Sequence, residues 1–340
     1  MGGLSLTQMY PPPPTFTEKQ VPDLHGKVYL ITGATSGIGE ALAGILYSRN
    51  ATVFLAARSP SKADATIASL RAAHPTSAGA LAPVACDLAD LASVRAAAAA
   101  FLSHPANPGG ALHALFHNAG LLVPPRGSAT AQGLEVQMGV HCVGPQLLTR
   151  LLEGALRGTA KREGEEGWTG GVRVVWVSSL GSTLAPPEGG VDVDNLDYHR
   201  DESQLAKYNI SKAGEVFLAG VWAERLKDDG IVSVVLDPGN LKTNLQSNFG
   251  NEVSRIGSKI LNLFLHPPIK GAYTILFAGL SPEVTVEKAC DHSLWVYPWG
   301  RLYKYPRKDI VAGFKPESEG GTGKAMKFWD WCEKQIQEYL

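Results

Sequence analysis

The chain has 340 residues, of which 44% are hydrophobic, and its formal net charge is −1. It is long enough to bury a large core in one large domain or two ordinary ones. Its balanced, interspersed charges exclude an electrostatic basis for binding nucleic acid or an anionic membrane. No apolar run reaches the roughly 18 residues that a membrane span requires, and no secretory signal is visible.

The cysteines show no metal-ligand spacing, and two of them lie in apolar segments. They are Cys86, Cys142, Cys290 and Cys332. We interpret them as free thiols in a reducing compartment, which predicts a cytoplasmic location. No metal site is predicted, because the acidic residues between 192 and 197 are more typical of a surface loop.

Residues 1–24 are polar and proline-rich. They predict an extended N-terminal arm, either packed on the domain or loose. The apolar run 27–32 then predicts a buried strand, and residues 40–47 show the apolar spacing of a helix.

A glycine turn lies between this strand and this helix. Glycines let the backbone approach a pyrophosphate closely, and a helix N-terminus offers free N–H groups at a positive dipole end. An ordinary tight turn is the alternative, but the context favours a dinucleotide site. Its predicted residues are Gly33, Ser36, Gly37, Ile38 and Gly39.

Residues 52–57 predict the second strand, which Arg58 follows. An NAD site usually carries an acidic residue here to bind the ribose 2′-hydroxyl. Arginine instead suits a 2′-phosphate, through bidentate charge-assisted bonds. The sequence therefore favours NADP(H), and a solvated arginine at a strand end is the alternative.

Four further apolar runs predict strands at 81–86, 112–117, 172–177 and 231–236. They are followed by Asp87-Leu88, Asn118-Ala119-Gly120, Ser178-Ser179 and Asp237-Pro238-Gly239. Strands that alternate with helices are typical of an α/β, Rossmann-type doubly wound parallel sheet. Ligands bind such sheets at the carboxyl ends of the strands, and each of these motifs lies at one.

Helices are predicted at 132–156 and 205–227, and the second carries Tyr208 and Lys212. Residues four apart on a helix share one face. A free phenol titrates at about pH 10, and a nearby ammonium lowers that pKa. The pair is therefore a candidate proton donor, provided that a cofactor binds beside it.

Two stretches interrupt the alternation. Residues 159–171 predict a solvated loop, and residues 180–207 a long connection. After Gly239 the pattern changes, and an amphipathic stretch within 240–268 could cover the site, dock a partner or lie on a membrane surface. Because few bases flank it, we favour the cover.

The remaining sequence predicts a C-terminal helical and aromatic extension, residues 282–340, of a single domain spanning 25–340. Residues 269–280 predict a helix that precedes the extension. Within it, residues 295–305 are rich in aromatics and proline, and residues 323–340 predict a terminal helix.

Taken together, these motifs resemble the short-chain dehydrogenase/reductase family over about residues 27–240. The glycine turn, Asn118-Ala119-Gly120, Ser179, Tyr208-x-x-x-Lys212 and Pro238-Gly239 occur in that family's order. The tail resembles retinol-dehydrogenase-like members, especially reductases of fungal secondary metabolism. The residues behind this closer similarity are 237–243 and 297–301.

The resemblance implies a role for each matched residue. Ser179 would polarise a substrate carbonyl, and Tyr208 would donate a proton to the developing alkoxide or remove one in the oxidative direction. Lys212 would lower the pKa of the tyrosine and hold the nicotinamide ribose. Asp87 and Asn118 would flank the adenosine half. The other implied cofactor contacts are Leu88, Ala119, Gly120, Pro238, Gly239 and, at the carboxamide end, Thr243.

One position departs from the family. His141 stands where the family has a catalytic asparagine that helps hold a proton-relaying water. The histidine could simply pack near the site, with other waters rebuilding the relay. It could take over the relay, which would add a titration at about pH 6.5. In a third case, redox activity is weakened and the scaffold serves another reaction or only binds.

The predicted function is that of an NADP(H)-dependent oxidoreductase acting on a carbonyl or alcohol of a fairly apolar small molecule. The alternative is a cofactor-binding regulator or a non-redox isomerase or cyclase, and His141 motivates it. Family members often form dimers or tetramers. A homodimer is therefore one expectation, although the tail could block those surfaces.

Overall fold

Eight strands form one sheet in this computed structural model, which describes residues 10–165, 170–184, 186–242 and 265–340. Their order is β3-β2-β1-β4-β5-β6-β7-β8, parallel except for β8, which runs antiparallel to β7. This confirms the doubly wound parallel sheet. The strands are β1 Val28–Thr32, β2 Thr52–Ala57, β3 Ala80–Ala85, β4 Ala114–His117, β5 Arg173–Val177, β6 Val232–Leu236, β7 Leu294–Tyr297 and β8 Arg301–Lys304.

Helices cover both faces of the sheet. Successive strand residues point to opposite faces, so Leu30 enters one core and Ile31 the other. Because both faces are buried, the central strands read as continuous apolar runs. The long helices are α1 Gly37–Ser48, α2 Pro60–Ala73, α3 Leu91–Leu102, α4 Gly144–Glu165, α5 Gln204–Leu226, α6 Pro268–Leu280 and α7 Lys324–Ile336.

The described part of the N-terminal arm is packed against the domain. Val21 and Leu24 are buried in the core under α1 and α6. The Phe16 ring meets Phe277 edge-on, with centroids 6.1 Å apart. Apolar burial therefore decides between the two alternatives for residues 16–24.

Helix α4 extends to Glu165, so the prediction of a loop from residue 159 was wrong. The Thr159 hydroxyl accepts a hydrogen bond from the Leu112 amide at 2.9 Å. One turn later, Glu163 pairs with Lys27, whose Nζ lies 2.6 Å from Oε1. The charged end of α4 is docked on the sheet, a contact that composition alone does not reveal.

The aromatic stretch near the C-terminus extends the sheet. β7 continues it beside β6, and β8 returns antiparallel. The Trp295 and Tyr305 rings pack edge-on with centroids 4.8 Å apart, and α7 brings Trp329 to 5.1 Å from the Trp222 ring. The extension is thus an integral layer of the fold.

Most of the predicted covering segment, 240–268, lies outside the described residues. Its described ends meet at a bridge between Leu241 and His266. The His266 amide donates to the Asn240 carbonyl at 2.8 Å. Within the described ranges, no helix is both long and apolar enough to cross a membrane.

Candidate active site

The glycine turn lies between β1 and α1. Gly33 and Gly37 have φ values of +67° and +58°, a region that favours glycine. A Cβ on Gly39 would lie 2.5 Å from the Gly33 carbonyl oxygen. The Ser36 side chain makes no capping bond to α1, and Ile38 is half-buried. The turn thus needs glycine, and it leaves the helix N-terminus open to an anionic group.

Asn118 fastens the end of β4 to this turn. Its side-chain amide donates to the Thr32 carbonyl at 2.9 Å. The Thr32 hydroxyl in turn accepts from the amides of Asn118 and Ala119, both at 3.0 Å. The described contacts of Asn118 are therefore structural, and its contact with the adenosine half of a cofactor stays a prediction.

The other predicted residues of the adenosine side lie at the carboxyl ends of β2 and β3. Arg58 is exposed directly after β2. Asp87 is half-buried and accepts a hydrogen bond from the Ala89 amide at 3.0 Å, while Leu88 is buried. Arg58 follows β2, which is adjacent to β1, and Asp87 and Leu88 follow β3, the next strand outward, at the same end of the parallel strands as the glycine turn.

Tyr208, Lys212 and Ser179 are brought together by the start of α5. Ser203 caps this helix by accepting from the Ala206 amide, so Tyr208 falls in its second turn. The Ser178 hydroxyl donates to the Lys212 carbonyl at 2.8 Å, which ties α5 to the end of β5. A hydrogen bond joins the side chains of Ser179 and Tyr208, and the Lys212 Nζ lies 5.9 Å from the tyrosine ring centroid.

Burial raises the pKa of Tyr208. The Lys212 ammonium and the hydrogen bond to Ser179 lower this pKa by less than burial raises it. The expected net lowering by lysine is therefore absent, because the ring is buried against Leu122 and Val123 and the phenolate would lose its hydration. At neutral pH the side chain is a phenol, the form that donates a proton.

His141 lies in a π-helical turn, Gly139–Val143, which precedes α4 inside the predicted helix. Its Nε2 accepts from the Leu121 amide at 3.1 Å, so in the neutral ring Nδ1 carries the proton. That nitrogen lies 2.8 Å from the Ser211 hydroxyl oxygen, which donates onward to the Tyr208 carbonyl. The ring therefore braces the backbone of α5.

Burial and the Lys212 charge hold the pKa of His141 well below its usual range. This opposes the hypothesis of a titration at about pH 6.5. A Cβ on Gly120 would lie 3.3 Å from the His141 Nε2 and 3.8 Å from the Lys212 Nζ. Gly120 therefore lies directly against both side chains.

The carboxyl end of β6 closes the other side of the site. Gly239 has a φ of +90°, and a Cβ there would lie 2.7 Å from Cζ3 of Trp299. Pro238 is half-buried. Asp237 accepts from the Gly239 amide at 3.0 Å, and burial raises the pKa of its carboxyl to about 6. Thr243 lies outside the described residues.

Glu215 was not among the residues predicted for the site. Its carboxylate oxygens lie 2.9 and 3.1 Å from the Lys212 Nζ. A signal existed, because Glu215 is the only charged residue from Ala213 to Ala223 and follows the lysine at helical i,i+3 spacing. It places a buried carboxylate directly behind the Tyr208–Lys212 pair.

Known proteins resemble this chain over most of its sequence. A family model described as short chain dehydrogenase matches residues 27–184. A short-chain dehydrogenase/reductase of Phomopsis amygdali is 46% identical over 336 residues, 98% of this chain and 96% of that protein. Another, pkfC of Emericella nidulans, is 43% identical over 330 residues, 96% of this chain and 98% of that protein. The chain belongs to the short-chain dehydrogenase/reductase family, whose members are oxidoreductases that bind a nicotinamide cofactor.

Solved structures share the fold. A putative uncharacterized protein from Mycobacterium paratuberculosis has a TM-score of 0.64 at 23% identity, over 95% of this chain and 97% of its own. An RhlG/NADP active-site complex from Pseudomonas aeruginosa has a TM-score of 0.59 at 22% identity, over 77% of this chain and 92% of its own. At such identities the likeness establishes the architecture alone.

Proposed function

We propose that this protein is an NADP(H)-dependent reductase of a carbonyl group on a fairly apolar small molecule. The observation that carries the proposal is the convergence of Ser179, Tyr208 and Lys212 at the end of β5, beside the glycine turn. Leu122 and Val123 give the tyrosine an apolar neighbour, which suits an apolar substrate. The similarity to fungal family members supports a role in secondary-metabolite formation.

The two hydroxyls define where the reacting oxygen would lie. A carbonyl oxygen placed between them would accept one hydrogen bond from Ser179 and one from Tyr208. When bound, NADPH supplies the hydride. Tyr208 then gives its proton to the developing alkoxide, and the Lys212 ammonium stabilises the phenolate that remains. In the oxidative direction the same phenolate takes the proton back.

The residues present fit a nicotinamide dinucleotide. Gly33, Ser36 and the open N-terminus of α1 would hold the pyrophosphate. The other proposed contacts are Ile38 and Gly39 in the turn, Arg58, Asp87, Leu88, Asn118, Ala119 and Gly120 toward the adenosine side, and Lys212, Pro238, Gly239 and Thr243 toward the nicotinamide. We retain a homodimer and a cytoplasmic location as further proposals; the free state of all four thiols supports the latter.

The test of the proposed function is NADPH consumption with a panel of ketones and aldehydes. Turnover of an apolar carbonyl compound supports it. Tight NADPH binding, seen by fluorescence, without oxidation by any member of the panel favours the non-redox alternative.

Replacing Arg58 with aspartate is expected to lower the NADPH-to-NADH ratio of kcat/KM by about 10- to 100-fold. A charge-assisted bond to the 2′-phosphate contributes about 1.5–3 kcal/mol. The exposed Arg95 on α3 provides the control, since Arg95→Asp makes the same charge change away from the turn. An unchanged ratio in Arg58→Asp would remove Arg58 from the 2′-phosphate site.

The substitution His141→Asn restores the residue that the family places there. We expect the reduction rate to change by less than about tenfold, because both ring nitrogens already bond within the protein. Stopped-flow NADPH oxidation measures the rate, and the exposed His25→Asn provides the control. A gain of about a hundredfold or more would instead support a scaffold whose redox activity has been weakened by His141.

A further inference from the structure

We propose that Glu215 is a positioning residue that neutralises the Lys212 charge, keeps Tyr208 protonated and thereby extends carbonyl reduction to higher pH. This inference rests on the proposed function and adds what sets the upper end of the pH range in which the site can give up a proton.

The geometry is that of a closed, buried ion pair. The Lys212 and Glu215 side chains are 5% and 2% exposed, and both carboxylate oxygens lie within hydrogen-bond distance of Nζ. The ammonium also donates to the Val177 carbonyl at 3.0 Å. Nζ therefore has three acceptors inside the chain, two of them on an anion. The negative charge of Glu215 therefore opposes the electric field of the Lys212 ammonium at Tyr208, because the two charged groups are in hydrogen-bond contact.

The side chains around the Lys212–Glu215 pair do not change the charge of either partner. The Ser178 side chain, at the end of β5, lowers the pKa of the Glu215 carboxyl, by less than burial raises it. Burial raises the pKa of Cys142 in the π-helical turn and of Cys332 in α7, so both thiols are neutral. His141 is neutral as well. From the end of β6, the Asp237 carboxylate also raises the pKa of Tyr208.

The signs of the pKa shifts agree with this geometry. Burial raises the pKa of Glu215 to about 7, so the carboxylate is anionic above neutral pH, where Tyr208 titrates. Burial is the main cause of the raised pKa of Tyr208, and the charge of Glu215 raises it further. Removing that charge therefore lowers the pKa of Tyr208. Reduction, which needs the phenol, is then lost at lower pH.

The test is the isosteric variant Glu215→Gln. We expect the alkaline limb of its kcat/KM profile for reduction to move down by about one pH unit. The control is Glu224→Gln on the same helix, an exposed glutamate paired with Lys227, and its profiles should match those of the wild type.

A second readout needs neither cofactor nor turnover. Phenolate absorption is titrated in the cofactor-free protein, and subtraction of Tyr208→Phe isolates Tyr208. In Glu215→Gln the pKa of Tyr208 measured in this way should fall by the same amount as the alkaline limb. In Glu215→Asp, which keeps the negative charge, the pKa should fall less. A purely packing role of Glu215 would leave the titration where it is.

Two results would overturn the proposal. One is a Tyr208 titration and alkaline limb that are the same in Glu215→Gln and the wild type. The other is a Tyr208 pKa below about 10 in the cofactor-free wild-type protein, a measurement that does not require Glu215→Gln to fold. If no carbonyl compound is reduced, the proposed function fails, but the absorption titration still decides whether Glu215 controls Tyr208.

Discussion

Tyr208→Phe is expected to lower kcat/KM for NADPH-dependent carbonyl reduction by about 10² to 10⁴, the usual contribution of a positioned general acid. The change removes the hydroxyl that bonds to Ser179 and keeps the ring. The packing against Leu122, Val123 and the edge of His141, whose centroid is 5.7 Å away, should therefore survive. Steady-state kinetics measures the loss, and circular dichroism and NADPH affinity check that the site is intact.

The matched control is Tyr303→Phe in β8, which removes an exposed phenol far along the same sheet. It should retain wild-type kinetics. If Tyr208→Phe reduces the substrate as fast as the wild type, Tyr208 is not the proton donor and the proposed mechanism is wrong.

Lys212→Met is expected to lower the free energy of unfolding by about 3–5 kcal/mol, because it leaves the Glu215 carboxylate buried without its partner. The loss should grow as pH rises above about 7, because Glu215 of the wild type is ionised there beside Lys212. Without the lysine, the carboxyl is either buried as an unpaired ion or kept protonated, and the free-energy cost of keeping it protonated increases with pH. Urea unfolding on either side of neutral pH measures it. By comparison, Lys227→Met breaks an exposed pair and should cost less than about 1 kcal/mol.

The double variant Lys212→Met with Glu215→Gln separates stability from catalysis. Removing both charges should restore most of the lost stability, because neither position then carries an unpaired buried ion. Reduction should stay impaired, since no ammonium stabilises the phenolate. A single Lys212→Met variant as stable as the wild type would mean that Glu215 does not depend on the lysine.

The central sheet was predictable because its strands are buried on both faces, so hydrophobicity alone marks each of them. The boundaries of β1, β2, β4, β5 and β6 agree with the structure to within two residues. The order of the motifs along the chain also placed Ser179, Tyr208 and Lys212 at one edge of the sheet. Parallel topology brings the carboxyl ends of the strands together, whatever the distance along the sequence.

Several features were decided only by contacts between distant segments. The strands β7 and β8 depend on pairing with β6, and the end of α4 depends on docking at Lys27 and Leu112. Neither contact leaves a periodic pattern in the sequence. The structure also settled the packed state of residues 16–24, because Val21 and Leu24 are buried under α1 and under α6, which is remote in the chain.

The sequence alone predicted the sheet, the glycine turn and the Tyr208–Lys212 pair, because these follow from local hydrophobicity and helical spacing. It identified the lowering of the tyrosine pKa by Lys212 but not the larger opposing effect of burial, because a pKa depends on desolvation and on every nearby charge. Only the folded chain shows that burial outweighs the lysine, that His141 is neutral with both ring nitrogens bonded, and that Glu215 neutralises Lys212. The proton chemistry proposed here is therefore a property of the tertiary structure.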